Sequence, residues 1–297
     1  MPRLPNFFLA GAPKSGTTSL YRYLDQHADI YLSSIKEPHY FAPEIRLEHY
    51  QPALRRRLAR ENGIVTDWGD YLRLFEGARN QTAVGEGSVC YLWSPRAPAL
   101  IAEKIPHARI LVLLRDPAER AFSQYLHGFG NGAIRWSFRE HIERNRHHRS
   151  PQLAVNYPFL EFGMYAQQLA RYRERFGSNV WVGLYEDLKQ RPLELIREVC
   201  RFLGVSEDFA PDTAQRHLQA QVPRLSAIGW LKHAGWWQSV AKITPARLRP
   251  IIRRSLIRTP GTTRMEPADR RYLIDYYRDE IARLEQMLDR DLSAWLR

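Results

Sequence analysis

A chain of 297 residues can form one large α/β domain or two smaller ones, and either buries a full core. Its formal charge of +12, from 44 lysines and arginines against 32 acidic residues, suits an anionic cofactor, an acidic acceptor, a nucleic acid or a membrane surface, and charge alone selects none of them. Composition excludes more than it selects. The two cysteines, Cys90 and Cys200, are far apart and lack metal-ligand spacing. No apolar run approaches the roughly 18 residues of a spanning helix, and the amino terminus enters its first strand without a charged leader. The expectation is a soluble protein of a reducing cytoplasm.

The stretch Asn6 to Leu24 reads NFFLAGAPKSGTTSLYRYL. A hydrophobic run from Phe7 to Ala10 ends in small and hydroxyl residues, and Leu20, Tyr23 and Leu24 then recur at helical spacing. This predicts strand, loop and helix. Gly11 and Gly16 allow a tight turn, Lys14 adds a positive charge, and residues 15 to 19 open a helix whose unpaired N–H groups attract an anion, naturally a phosphate. The alternative is an ordinary strand-to-helix turn with a stray lysine. The triphosphate signature G-x-x-x-x-G-K-[ST] places lysine after its second glycine, whereas Lys14 precedes Gly16 by two residues, which weakens a magnesium-nucleotide reading.

Farther along, Ile30 to Ser33 is a short strand candidate followed by Ile-Lys-Glu-Pro-His-Tyr-Phe. Pro38 blocks a helix and biases Glu37 toward an extended conformation, so Glu37 and His39 are expected to project together from a loop beside the anion site. Residues 44 to 80 predict helix in two pieces, with Trp68, Tyr71, Leu72 and Phe75 as an apolar face. Thr82 to Val84 is a brief strand leading into Gly85-Glu86-Gly87-Ser88, and Pro95 to Lys104 a helix. Arg109 to Leu114 is the strongest strand, an unbroken apolar run after Arg109 as in a parallel sheet buried on both faces. It ends in Arg115-Asp116-Pro117, and Ser123 lies about two turns into the helix that Pro117 opens, so Arg115 and Ser123 can face one ligand.

Beyond this point a polar helix from Ser137 carries His141, His147 and His148, whose spacing among arginines fits a solvated face better than a metal site. Leu160 to Phe176 is an amphipathic helix, Val180 to Leu184 a buried strand, and Pro192 to Leu203 a helix stopped by Gly204, with Cys200 on its apolar side. Residues 222 to 259 break the rhythm: Trp230, Trp236 and Trp237 precede arginines interleaved with leucine and isoleucine, a pattern open to a membrane-facing, substrate-side or packed surface. Ala268 to Leu288 is a closing helix. The alternation predicts an α/β, P-loop-like three-layer fold with a central, mostly parallel sheet flanked by helices. The expected organisation is a single domain over 1–297, with 222–259 as an insertion.

Two motifs in this order resemble the sulfotransferases that use 3′-phosphoadenosine 5′-phosphosulfate, in the branch of the heparan sulfate sulfotransferases and their bacterial relatives. APKSGTTSLYRYL resembles the 5′-phosphosulfate loop and LLRDPAERAFSQY the 3′-phosphate motif, while KEPHYF resembles the loop with the catalytic glutamate. The resemblance covers nearly the whole chain. It implies that Lys14, Ser15, Gly16, Thr17, Thr18 and Ser19 hold the 5′-phosphosulfate, that Arg115 and Ser123 bind the 3′-phosphate, and that Thr263 and Arg264 close a late loop on the cofactor. It implies Glu37 as general base, with His39 as rival or assistant and Lys14 stabilising the leaving phosphate. The product would be 3′,5′-bisphosphoadenosine and no metal would be required. The acceptor would be a glycan or other small molecule bearing a hydroxyl or amine, with peripheral membrane contact through 222–259 and no nucleic acid. Gly87 stands where heparan-type enzymes carry a lysine. Competing readings are a small-molecule kinase with a variant phosphate loop and a basic membrane- or nucleic-acid-binding module.

Overall fold

The computed structural model describes residues 3–45, 63–130, 133–134, 136–147, 158–213 and 264–297, with the backbone of 222–223 and 257–258. These cluster into two compact units interleaved along the chain. The first takes 1–116, 164–217 and 279–292, and the second takes 117–163, 218–278 and 293–297.

The first unit is built on a five-stranded sheet: β1 (Phe7–Gly11), β2 (Ile30–Leu32), β3 (Ala83–Glu86), β4 (Arg109–Leu114) and β5 (Val180–Leu184). Their order is β2-β3-β1-β4-β5, and every pairing is parallel. β1 and β4 are apolar without alternation because helices cover both faces. On one face Phe7, Leu9, Leu111 and Leu113 pack with Leu20, Tyr23 and Leu24 of α1 (Thr17–Leu24). The same layer includes Leu195, Ile196, Val199, Cys200 and Leu203 of a later helix, Pro192–Leu203. On the other face Phe8 meets the rings of Phe41 and Tyr91. The remaining helices are α2 (Trp68–Arg73), α3 (Ala97–Lys104) and α6 (Tyr165–Phe176). The short α7 (Tyr185–Gln190) follows β5 directly and leads into the Pro192–Leu203 helix, α8. A parallel sheet of this order sends the chain to opposite sides of β1, toward β3 and toward β4, and the loops at the carboxyl edge beside such a switch form a ligand crevice.

The second unit contains α4 (Pro117–Gly130), α5 (Phe138–His147) and a two-residue antiparallel pair, β6 (Val222–Pro223) with β7 (Ile257–Arg258). That pair joins the two ends of the 222–259 segment; the tryptophans and arginines between them lie outside the described residues. So do Thr263 and His148.

Two expectations change here. His141 is not on a solvated face: it is fully buried, Trp136 Nε1 donates to its Nδ1 at 3.1 Å, and Phe159 packs on its ring. Burial, then Arg144, pushes its pKa down to about 4, so the ring is neutral. The helix expected from Leu160 begins only at Tyr165, after a 3-10 turn at Glu161–Gly163. Gly163 lies against the Tyr277 ring, and the Tyr277 hydroxyl holds the Leu160 carbonyl at 2.8 Å, which fixes the turn. A closing helix, α9 (Pro267–Leu288), follows as expected.

Candidate active site

The first site loop leaves β1 and enters α1. Gly16 sits at the amino-terminal boundary of α1 with φ 89°, and a Cβ there would stand 2.9 Å from Leu188 and from the Tyr185 ring, so both conformation and space require glycine. Gly11 is glycine for space alone: a Cβ would stand 2.7 Å from that of Leu92. Because the boundary residue has no side chain, no side-chain cap competes for the first N–H groups of α1, and its first turn holds no acidic residue. Thr17 is buried, Thr18 and Ser19 half-buried, and the Ser15 hydroxyl is fully buried with no hydrogen-bond partner.

Arg115, at the end of β4, reaches this loop. Its Nη1 donates to the Lys14 carbonyl at 3.2 Å, its guanidinium lies 4.8 Å from the centre of the Tyr185 ring, and Tyr165 Oη donates to its own carbonyl at 2.9 Å. The structure therefore brings Lys14 and Arg115 to one place. Burial foremost, then the charge of Arg115, holds the Lys14 ammonium below the ordinary lysine range; Glu37 opposes this and Lys36 adds to it. Three cations and one carboxylate share the crevice, an arrangement that an incoming anion relieves. An orphaned hydroxyl, helix N–H groups and two converging cations fit a phosphate or phosphosulfate.

The second site loop follows β2. Glu37 and His39 are not extended: both have positive φ, 63° and 58°. Pro38 disfavours a right-handed helical Glu37, but tertiary hydrogen bonds then select the left-handed side. The Glu37 N–H bonds to the Gly87 carbonyl at 3.1 Å, and the His39 N–H to Ser88 Oγ at 3.1 Å. The expected pairing survives for this different reason, with His39 Nε2 3.9 Å from Glu37 Oε2. Lys36 Nζ lies 2.5 Å from Glu37 Oε1. Among the described residues four non-glycines have positive φ, and three are Lys14, Glu37 and His39. Such conformations persist only where surrounding structure over-determines them, and they concentrate at functional sites.

His39 Nδ1 stands 2.9 Å from Cys90 Sγ. Burial lowers the His39 pKa and raises that of Cys90, so a neutral ring faces a protonated thiol. With the thiol as donor, Nδ1 accepts and the ring proton resides on Nε2, the nitrogen facing Glu37. Behind this loop Glu86 is fully buried. It accepts from Ser88 Oγ at 2.8 Å, from Tyr71 at 3.3 Å and from Tyr91.

Ser123 lies half-buried on α4, and Arg264 is exposed; both belong to the second unit. Sequence reasoning did not single out Lys36, Ser88 or Tyr185. Tyr185 carried a usable signal, since it directly follows strand β5 on the same edge; the other two become visible only through their partners.

A family model described as "Sulfotransferase domain" matches residues 4–233. The human bifunctional heparan sulfate N-deacetylase/N-sulfotransferase 3 is 29% identical over 304 aligned residues, covering 99% of this chain but 31% of the relative, so the chain spans under a third of that protein's length. Human carbohydrate sulfotransferase 15 is 32% identical over 160 residues, covering 42% of this chain and 27% of that protein. Among solved structures, a sulfotransferase from Alicyclobacillus acidocaldarius is 32% identical with a TM-score of 0.76, covering 99% of this chain and all of the other. The loops at the carboxyl edge of β1, β2 and β4 thus belong to a known architecture: the chain is a member of the sulfotransferase domain family.

Proposed function

We propose that this chain moves a sulfuryl group from 3′-phosphoadenosine 5′-phosphosulfate to a hydroxyl or amine of a glycan or other small acceptor, without a metal. The observation that carries this reading is the convergence of Lys14, Arg115 and Glu37 at the opening of α1, with burial and like charge lowering the Lys14 pKa. When bound, the cofactor supplies a sulfuryl group carried on a phosphate leaving group. The first N–H groups of α1 and the Lys14 ammonium would hold its phosphosulfate and would stabilise negative charge on the leaving phosphate. Arg115, whose guanidinium lies over the Tyr185 ring, would take the separate 3′-phosphate, as the family resemblance implies.

Glu37 accepts the acceptor's proton, and Lys36, paired with it, orients the carboxylate. His39, neutral with its proton on Nε2, donates toward the acceptor or toward Glu37 but does not compete as a base in that tautomer. The heparan sulfate relatives support a glycan acceptor by analogy. Both cysteines are free thiols, in keeping with a proposed cytoplasmic location, and among the described residues no helix is long and apolar enough to cross a membrane. Peripheral contact through 222–259 is part of the proposal, and failure to co-sediment with anionic liposomes at low salt would remove it.

The experiment is a thermal-shift comparison of 3′,5′-bisphosphoadenosine with ATP plus magnesium. A ligand present at about 100 times its Kd stabilises the native state by roughly 2.7 kcal/mol. The bisphosphate is expected to raise Tm and ATP with magnesium to leave it nearly unchanged; the reverse preference would favour a kinase.

A further inference from the structure

We propose that Glu86 is the positioning residue for the loop bearing Glu37 and His39: its carboxylate sets the direction of the Ser88 and Tyr91 hydroxyls, which then hold that loop by its backbone. Each residue that donates to Glu86 also engages the loop, Ser88 and Tyr91 through the same hydroxyl and Tyr71 through its ring. Ser88 Oγ donates to Glu86 Oε2 at 2.8 Å and accepts the His39 N–H at 3.1 Å. Tyr91 donates to Glu86 and accepts the Phe41 N–H at 3.2 Å. Tyr71 donates to Oε1 at 3.3 Å and stacks on Tyr40, with ring centres 4.7 Å apart. The loop between β2 and α2 is thus fastened at residues 39, 40 and 41 through groups that share one buried carboxylate.

The direction of the protons explains why an acid occupies this position. An ionised carboxylate only accepts, so Ser88 and Tyr91 each commit their single proton to it and present lone pairs to the loop amides. A protonated Glu86 donates to one of these hydroxyls, whose own proton then turns toward the amide it was accepting, and that link is lost. Burial raises the Glu86 pKa to about 7, against the hydroxyl donors, which lower it. The other titratable groups acting on it are Glu37, Tyr21, Cys90 and Tyr172, with Tyr71 and Tyr91. Burial raises the pKa of the tyrosines and of Cys90 further above neutrality, so they stay protonated at pH 7 and Glu86 is the buried group in this cluster whose pKa falls near it. The inference rests on the reading of Glu37 as base only for its catalytic consequence; the positioning itself is independent of it.

Amide hydrogen exchange on the full chain, corrected for intrinsic exchange chemistry, tests it at pH 6 and pH 8. In the parent protein, protection at His39 and Phe41 is expected to rise about tenfold between these values, as one pKa unit corresponds to tenfold. In Glu86→Gln, which keeps the shape but introduces a donor, protection should be low and independent of pH, while the Kd for 3′,5′-bisphosphoadenosine stays within about twofold because Lys14 and Arg115 are untouched. Equal protection in the variant, or nucleotide affinity falling with it, would overturn the proposal. If Glu86→Gln does not fold, Ser88→Ala removes only the link to His39: exchange should rise at His39 and not at Phe41, and an unchanged His39 overturns the relay. A fully active Glu37→Gln would remove the base assignment and leave these results standing.

Discussion

The loop after β1 and the loop after β2 meet at one edge of one sheet and are built on opposite plans. The first is left incomplete. Its helix boundary is a glycine with no cap, the Ser15 hydroxyl has no partner, and burial with like charge lowers the Lys14 pKa. The second is completed from within: His39 and Phe41 have their amides satisfied, Glu37 is paired with Lys36, and a buried acid anchors the hydroxyls that hold them. A site for an incoming anion must leave donors and positive charge unspent, whereas a reacting side chain gains from being held before the substrate arrives. Under the proposed function, the contrast fits binding at one loop and proton chemistry at the other.

The largest expected effect breaks the contrast from the chemical side. Glu37→Gln should lower turnover at least about 100-fold, the ordinary range for losing a general base, with nucleotide affinity within about twofold. Steady-state kinetics and calorimetry check both, and near-normal turnover would move the base elsewhere.

Next comes the pH dependence of stability contributed by Glu86. Its folded pKa, about 7, lies above the ordinary glutamate value of 4.5, so its contribution is fully present below 4.5 and is lost as pH rises through 7. The loss is about 3 kcal/mol. Urea unfolding of the parent and Glu86→Gln at pH 5 and pH 8 should show the parent's advantage shrinking toward pH 8. The comparison with the variant is needed because His141, whose pKa falls from 6.5 to about 4, gives the opposite slope in the acid range.

Lys14→Ala attacks the binding loop. Removing a charge-assisted contact should weaken 3′,5′-bisphosphoadenosine binding by roughly 1.5–3 kcal/mol, read by calorimetry, and reduce its salt dependence, while exchange at His39 and Phe41 stays as in the parent. The smallest effect is on stability. Gly16→Ala forces a side chain to φ 89° beside Tyr185 and Leu188 and should cost roughly 1–2 kcal/mol in urea unfolding.

Legibility in the sequence followed how local each cause was. Helix α8 and strands β4 and β5 lie where periodicity placed them, because α8 needs one apolar stripe and a left-handed Gly204, and the two strands need only an unbroken apolar run. Strand β3 runs Ala83–Glu86 rather than ending at Val84, because Gly85 pairs with Phe7 and Leu32 in neighbouring strands. The conformation of Glu37 was not readable from Pro38, since its amide partner lies fifty residues along the chain on Gly87. His141 read as surface because its arginine neighbours dominate the pattern, although its own ring points into a cluster of Trp136, Tyr125 and Phe159.

By itself the sequence determined the alternating α/β plan, the glycine-bounded start of α1 and the arginine at the end of β4, because each follows from residues within a few positions of one another. Only the tertiary structure decided that Lys14, Arg115, Lys36 and Glu37 share one crevice, that Glu37 and His39 take positive φ, and that Glu86 stands behind them. Those outcomes depend on which strands lie side by side, and on burial that changes what a charge costs, neither of which is written in any single stretch of chain.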